Sequence, residues 1–224
     1  MYPRIMSKPK GRIRIEWSEK FAYAIGLIVT DGNLSPDGRH ISFSSKDKEL
    51  IYHFLLALEI PDQRIRKKTS GYTGKTDAFV IQFSDVLFYR FLLEIGLMPN
   101  KSKVMKRIIV PDECFSHFIR GLFDGDGTSF SYWDPRWKSS FMFYTAFASA
   151  SHEFLYWLRN EISFRYGIIG HISTSQGEHT RQLRFAKKSS IALQDVMYKN
   201  ANNFYLKRKY LKITSAMSII PPLQ

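Results

Sequence analysis

Two aspartates that each precede a glycine are the residues of this chain with the clearest capacity for chemistry. Asp31 ends the apolar segment Ala24-Ile-Gly-Leu-Ile-Val-Thr-Asp-Gly32, and Asp126 ends the segment Ile119-Arg-Gly-Leu-Phe-Asp-Gly-Asp-Gly127. Carboxylate oxygens suit Mg²⁺, which keeps several waters and takes further ligands from substrate phosphates. The pair is therefore a candidate site for a shared divalent cation.

The apolar segments predict two buried helices that contact each other. Each helix carries small residues one turn apart, which lie on one face and let two backbones approach closely. These predicted interface residues are Gly26, Thr30, Gly121 and Gly125. Such a contact would bring the two aspartates to one point on a pseudo-twofold axis.

Cap residues bound both predicted helices. Ser18 is expected as the N-cap of the first helix and Asp112 as that of the second. Gly32 and Gly127 are expected to stop them. A carboxylate in the last turn opposes the helix dipole at a cost of about 0.3–1 kcal/mol, and two neighbouring carboxylates repel each other. A bound cation would reverse both penalties.

Two other interpretations of these motifs are an EF-hand calcium loop and an ordinary turn. An EF-hand calcium loop starting at Asp124 would need Gly at its sixth position and an acid at its twelfth, where the chain has Ser129 and Pro135. That interpretation fails. Asp-Gly is also a common turn or helix exit, but its recurrence within a matching repeat argues against this interpretation.

The surroundings of the two motifs repeat as well. Each half is predicted to run α-β-β-α-β-β-α, which gives an α+β protein with an antiparallel sheet in each half. The predicted halves are residues 1–110 and 111–224. Basic connectors, Asn100-Lys-Ser-Lys-Val-Met-Lys-Arg107 and Leu206-Lys-Arg-Lys-Tyr-Leu-Lys212, close them.

Composition points to a globular protein that binds nucleic acid. The 224 residues are 44% hydrophobic and carry 33 Lys+Arg against 20 Asp+Glu, a formal net charge of +13. The excess is spread over both halves, which fits a surface that follows a long polyanion. One cysteine excludes a disulfide framework within the chain. No membrane span or secretory signal is expected, and the predicted location is intracellular, in the cytoplasm or an organelle matrix.

The two motifs, their spacing and the repeat around them resemble the LAGLIDADG homing endonucleases in their single-chain, two-motif form. The resemblance covers nearly the whole chain. Val29 stands where the family letter is Asp, while Asp124 keeps that letter in the second motif. The resemblance implies two pseudo-symmetric αββαββα halves that form a saddle of antiparallel sheets around a central two-helix interface.

The resemblance also implies an activity. Asp31 and Asp126, helped by the carbonyls of Thr30 and Gly125, would bind Mg²⁺, for which Mn²⁺ or Ca²⁺ can substitute in binding; no organic cofactor is expected. Cleavage of one phosphodiester in each DNA strand would leave 3′ overhangs. The expected partner is double-stranded DNA with a long pseudo-palindromic or asymmetric target, bound by a monomer.

Basic residues beside the metal site support the transition-state charge in this family. Lys101 and Lys207 occupy comparable places after the last helix of each half and are the predicted catalytic lysines. Lys103 and Lys209 are the neighbours that a small misalignment would select instead. Lys46 is a third candidate without a symmetric counterpart. Each could equally be a solvated surface charge.

Strand alternation predicts which side chains leave the core and face DNA. Arg and Gln can pair bidentately with guanine and adenine edges in the major groove. The predicted contacts are His40, Ser42, Ser44, Arg64, Arg66, Lys68, Gln82, Tyr144, His171, Ser173, Gln182 and Arg184.

Two other functions remain open at this point. Relatives of the family can assist intron splicing, so an RNA-binding maturase with intron RNA as its partner is one alternative. The other is a DNA-binding protein that has lost cleavage. The presence of both motif acids argues against the second, because inactive relatives can lose them.

Overall fold

The two motif segments form the central helices of the protein. The computed structural model describes residues 11–69, 74, 76–137, 139–173 and 180–219. Within these ranges the helices are α1 (Glu19–Asp31), α2 (Lys48–Ala57), α3 (Val86–Glu94), α4 (Phe115–Asp126), α5 (His152–Tyr166), α6 (Lys187–Tyr198) and α7 (Lys207–Met217). The motif helices α1 and α4 pack directly on each other.

Two four-stranded antiparallel sheets flank the helices. The first contains β1 (Gly32–Leu34), β2 (His40–Ser45), β3 (Arg66–Lys68) and β4 (Ala78–Ser84), in the order β1-β2-β4-β3. The second contains β5 (Thr128–Trp133), β6 (Phe141–Ser149), β7 (His171–Ser173) and β8 (Arg181–Phe185), in the order β5-β6-β8-β7. The predicted α+β class with an antiparallel sheet in each half is confirmed.

Alternation along the strands decides which residues enter the core. Ile41 and Phe43 on β2 are buried against the helices, while Ser42 between them faces away. Leu183 and Phe185 repeat the pattern on β8. The sequence predicted these inward faces correctly because one slip of register would have exposed a whole apolar set.

The predicted N-caps are half right. The Ser18 side chain accepts a hydrogen bond from the Phe21 amide at 3.2 Å, as expected of an N-cap. Asp112 caps no α-helix: it begins a 3₁₀ turn, Asp112–Cys114, and α4 begins at Phe115. Its carboxylate pairs with Arg165 on α5 instead, so the tertiary partner replaces the local one.

The prediction that residues 206–212 form a connector is wrong. Residues 207–217 form the helix α7, which buries Lys209, Ile213 and Ala216. The first connector contains only a 3₁₀ turn, Lys101–Lys103. The two halves therefore end differently. None of the helices in the described ranges is long and apolar enough to cross a membrane.

Candidate metal centre

Glycines allow the backbones of α1 and α4 to touch. A Cβ added to Gly26 would lie 2.4 Å from the Phe118 carbonyl oxygen, and one added to Gly121 would lie 2.2 Å from the Tyr23 carbonyl oxygen. Both distances are far below ordinary contact, and the obstacles are backbone atoms. The predicted roles of the two glycines thus correspond to the observed contact.

Thr30 and Gly125 extend this contact to the helix ends. A Cβ on Gly125 would lie 2.0 Å from Thr30 Oγ1 and 3.1 Å from Asp31 Oδ2. Thr30 Oγ1 in turn donates to the Leu27 carbonyl at 3.0 Å. The side chains of one helix end therefore press on the backbone of the other, which brings the last residues of both helices, Asp31 and Asp126, together.

The two aspartates interact electrostatically. The pKa of Asp31 is raised from 3.8 to about 6, first by burial and then by the negative charge of Asp126, while Lys209 and Lys101 oppose the shift. Asp126 is the more exposed of the two. A raised carboxyl pKa means that the folded protein resists full ionisation of this pair, so a positive ligand would stabilise it.

Two buried lysines reach the same helix ends. Lys101 Nζ donates to the carbonyl of Gly32, directly after α1. Lys209 Nζ donates hydrogen bonds to the carbonyl oxygens of Phe123, Gly125 and Gly127 at 2.7, 2.9 and 2.6 Å. These bonds cap the end of α4. Burial lowers the pKa of Lys209 to about 8 and also lowers that of Lys101, although neighbouring carboxylates counteract both shifts.

Lys209, and not Lys207, is the counterpart of Lys101. Lys207 begins α7 with its side chain exposed, and its backbone amide donates to Glu49 Oε2 at 3.2 Å. Residues two apart on a helix point in widely different directions, so the register of α7 selects one of them. The predicted Lys207 is therefore replaced by the neighbour that the sequence left as an alternative.

Lys46 has a different environment. It is exposed directly after β2, and its Nζ lies 2.6 Å from Asp77 Oδ2. Neither helix end that carries the aspartate pair accepts a hydrogen bond from it. The structure thus groups two lysines, not three, with the pair.

Asp124 occupies the position at which the motifs differ, and it is completely buried. Its Oδ2 accepts hydrogen bonds from the Tyr23 hydroxyl and the Leu206 amide, both at 2.8 Å, and Oδ1 accepts one from the Tyr198 hydroxyl at 3.3 Å. Burial raises its pKa to about 6. Because Leu206 is the N-cap of α7, Asp124 fixes the start of the helix that carries Lys209.

Val29, the equivalent of Asp124 in α1, has no such role. It is buried and lines a small cleft together with Lys101, Met105 and Asp126. In the first half the lysine comes from a 3₁₀ turn, which needs no carboxylate to hold a helix start. Asp124 in the second motif therefore goes together with the helix α7 that ends the second half, and Val29 in the first motif goes together with the 3₁₀ turn that carries Lys101. In the sequence, the only sign of this difference was Val29 in place of an aspartate.

The aspartate pair fits a hard divalent cation. In the part of the chain that the structure describes, no three His, Cys, Asp or Glu side chains converge on a metal position. Two carboxylates alone suit Mg²⁺, whose other ligands would be water and phosphate oxygens. The Gly125 carbonyl, predicted as a ligand, already accepts a hydrogen bond from Lys209.

The outer face of the first sheet is polar, as its predicted contacts require. Ser42 pairs with Gln82 across β2 and β4. Arg66 Nη2 donates to Gln82 Oε1 at 2.9 Å, and Lys68 Nζ to Ser44 Oγ at 3.4 Å. Arg64 is exposed just before β3. His40 contacts Asp37, whose pKa it holds well below the usual range.

The second sheet places its predicted contacts on one face as well. Arg184 pairs with His171, and Gln182 with Ser173, across β8 and β7. Arg184 Nε donates to Gln182 Oε1 at 2.9 Å. Tyr144 on β6 also points away from the core, but it stacks on other aromatic rings.

The fold defined by these halves is the LAGLIDADG fold of homing endonucleases. The homing endonuclease I-WcaI bound to its DNA recognition sequence is similar with a TM-score of 0.60 and 16% identity, over 88% of this chain and 86% of that one. I-DmoI in complex with DNA and Mn has a TM-score of 0.51 and 16% identity, over 80% and 96% of the respective chains.

A protein not named as an endonuclease has the same fold. Full-length DUF199/WhiA from Thermotoga maritima is similar with a TM-score of 0.57 and 16% identity, over 92% of this chain. The chain spans 63% of the length of that protein. No protein-family model and no curated protein matches the sequence. At 16% identity these likenesses show the fold alone, because one fold can serve different activities.

Proposed function

We propose that this protein is a site-specific, divalent-metal-dependent endonuclease that cleaves both strands of double-stranded DNA and leaves 3′ overhangs. The observation that carries the proposal is the aspartate pair Asp31 and Asp126, held together by two helices in backbone contact and flanked by buried lysines. Two carboxylates at helix C-termini destabilise the protein. Unfavourable charges of this kind are typical of sites that bind a ligand of opposite charge.

The charge and the two sheets support duplex DNA as the substrate. The net charge of +13 favours binding to a polyanion. Two outward faces carry Arg, Gln, Ser and His side chains on either side of the aspartate pair, which suits a major groove read on both sides of a cleavage centre. The similar homing endonuclease structures that contain DNA support the same partner.

Each residue of the centre has a separate task. Asp31 and Asp126 would hold Mg²⁺, which when bound activates water and neutralises charge on the cleaved phosphate. Lys101 and Lys209 keep the ends of α1 and α4 in place through carbonyl contacts. Their ammonium groups also add positive charge beside the phosphate. Asp124 maintains the position of Lys209 through the start of α7.

One chain is proposed to be sufficient, because both motif helices and both sheets belong to it. The protein is proposed to act inside the cell, where DNA is accessible. Its target would be asymmetric, because the two outer faces differ in residue type. Cleavage of both strands would use the one composite centre.

The test starts from a target selected by binding. Duplexes that bind the protein in EDTA are recovered from a randomised library and then incubated with Mg²⁺. We expect linear products with 3′ overhangs from the wild type, and none from Asp31→Asn or Asp126→Asn proteins that still bind the duplex.

The control is Asp195→Asn, which removes an exposed aspartate on α6 and should leave cleavage intact. Binding without cleavage by the wild type would refute the nuclease and leave a DNA-binding protein. Cleavage that persists in both motif variants would refute the assigned centre. Preferential binding of structured RNA over every duplex would favour the maturase.

A further inference from the structure

An aromatic ladder crosses the outer face of the second sheet. The rings of Phe130 on β5 and Tyr144 on β6 stack with centroids 5.1 Å apart and planes 17° apart. Tyr132, also on β5, stacks on Tyr144 at 6.3 Å and 16°. Three rings from two strands therefore lie nearly parallel, with Tyr144 shared by both contacts.

The strand register places this ladder on the face that points away from the helices. Phe130 pairs with Tyr144, and Tyr132 pairs with Met142. The residues that alternate with them, such as Phe141 and Phe143, are buried in the core. The ladder consequently shares its face with the predicted DNA contacts of β8, and 45% of Tyr132 remains exposed.

Small apolar groups continue this face toward the aspartate pair. Thr128, at the start of β5, pairs with Ala146, and Ala148 pairs with Gln182. Thr128 and Ala148 are exposed. From the end of α4 outward, strands β5 and β6 thus present methyl groups, aromatic rings and a thioether, together with the hydroxyls of Thr128, Tyr132 and Tyr144.

The first sheet offers the opposite chemistry at the matching place. Asn33 on β1 pairs with Ser42, which pairs with Gln82. These side chains donate and accept hydrogen bonds. The two halves share a backbone plan but present different groups to a bound duplex.

The geometry of the ladder limits what it can bind. Rings that stack on one another cover their own faces and leave edges exposed, whereas a platform for unpaired bases needs open ring faces. Base pairs in the major groove present hydrogen-bonding edges and one apolar group, the C5-methyl of thymine. Ring edges, alanine and the threonine methyl are the protein groups that contact this methyl favourably.

We infer that β5 and β6 read thymine methyl groups in the major groove, so that the half-site bound by the second sheet is rich in thymine. The half-site bound by the first sheet is read by hydrogen bonds and lacks this preference. Arg184 and Gln182 on the neighbouring strand supply the polar contacts that fix the register of the thymine-rich half-site. This inference rests on the proposed binding of duplex DNA.

The experiment removes the methyl groups without touching the protein. A duplex selected by binding in EDTA is resynthesised with uracil in place of thymine, first in one half-site and then in the other. Uracil keeps every hydrogen bond and phosphate of thymine. Burial of one methyl group corresponds to about four-fold in affinity, so we expect a loss of about four-fold for each replaced thymine in one half-site and little change in the other.

Protein variants identify the half that is responsible. Phe130→Ala and Tyr144→Ala should abolish the difference between thymine and uracil, while Tyr144→Phe, which keeps the ring and loses only the hydroxyl, should retain it. The matched variant in the first sheet, Gln82→Ala, should change base preference in the other half-site alone.

Each outcome decides a separate statement. Equal affinity for thymine and uracil duplexes overturns the inference and leaves the ladder as a stabiliser of the sheet, without affecting the nuclease. A thymine preference in a duplex that is bound but not cleaved with Mg²⁺ supports the inference and overturns the nuclease. Failure to enrich any duplex overturns both.

Discussion

Replacing Gly121 by alanine would separate the two motif helices. The added Cβ would lie 2.2 Å from the Tyr23 carbonyl oxygen and 3.0 Å from the Gly26 Cα. Ordinary contact begins at 3.4 Å. Because both obstacles are backbone atoms of α1, no side chain can rotate away, and the helices must part by about 1 Å.

The energetic cost follows from two opposing effects. Overpacking of this kind costs about 1–3 kcal/mol, and the displaced contact is long and well packed, which favours the upper end. Alanine recovers up to about 1 kcal/mol through its higher helix propensity. We therefore expect a net loss of about 2 kcal/mol in the free energy of unfolding. Cleavage should fall by about 100-fold, because a 1 Å displacement of catalytic groups has effects of that size.

The assay combines urea denaturation in EDTA with cleavage of the selected duplex in Mg²⁺. Ser116→Ala is the matched control, since it introduces alanine at a half-buried position of the same helix away from the glycine contact. It should change stability by less than about 0.5 kcal/mol. Gly26→Ala should resemble Gly121→Ala, because its Cβ would lie 2.4 Å from the Phe118 carbonyl oxygen.

The double variant provides the refutation. Both substitutions push the same two backbones apart, so the second should cost less once the first has separated them. Full additivity, or wild-type stability and cleavage in Gly121→Ala, would show that α1 and α4 are not in backbone contact at these glycines.

Three further predictions concern the charged groups. The fold favours the neutral form of the Asp31 carboxyl, so the free energy of unfolding decreases as pH rises from 3.8 through about 6. Asp31→Asn should therefore raise the free energy of unfolding by about 1–2 kcal/mol in EDTA at pH 8, after allowance for partial exposure. The same urea titrations should show little gain at pH 4. Lys209→Met leaves three carbonyls without their donor and should lose about 2–4 kcal/mol and most cleavage, whereas Lys207→Met should unfold and cleave like wild type. Duplex affinity measured between 50 and 200 mM salt should fall by about 10³-fold or more if six or more phosphates are contacted, and a flat response would contradict the binding surface.

Local patterns in the sequence were sufficient for much of the fold. The apolar segments with small residues one turn apart predicted α1, α4 and their contact, because a backbone approach requires the absence of side chains. Alternation predicted the buried faces of β2 and β8, since a half-buried strand has period two. The start of α4 was misjudged because Asp112 has a distant partner, Arg165, that no local pattern reveals.

The sequence by itself determined which residue types are available: two aspartates, the glycines that bring them together, and an excess of basic residues. Only the tertiary structure decided which lysine joins them, because α7 was not recognised as a helix and its register turns Lys209, not Lys207, toward the end of α4. The role of Asp124 likewise depends on contacts with Tyr23, Tyr198 and Leu206. Such partners are far apart in the chain and meet only when the whole core has formed.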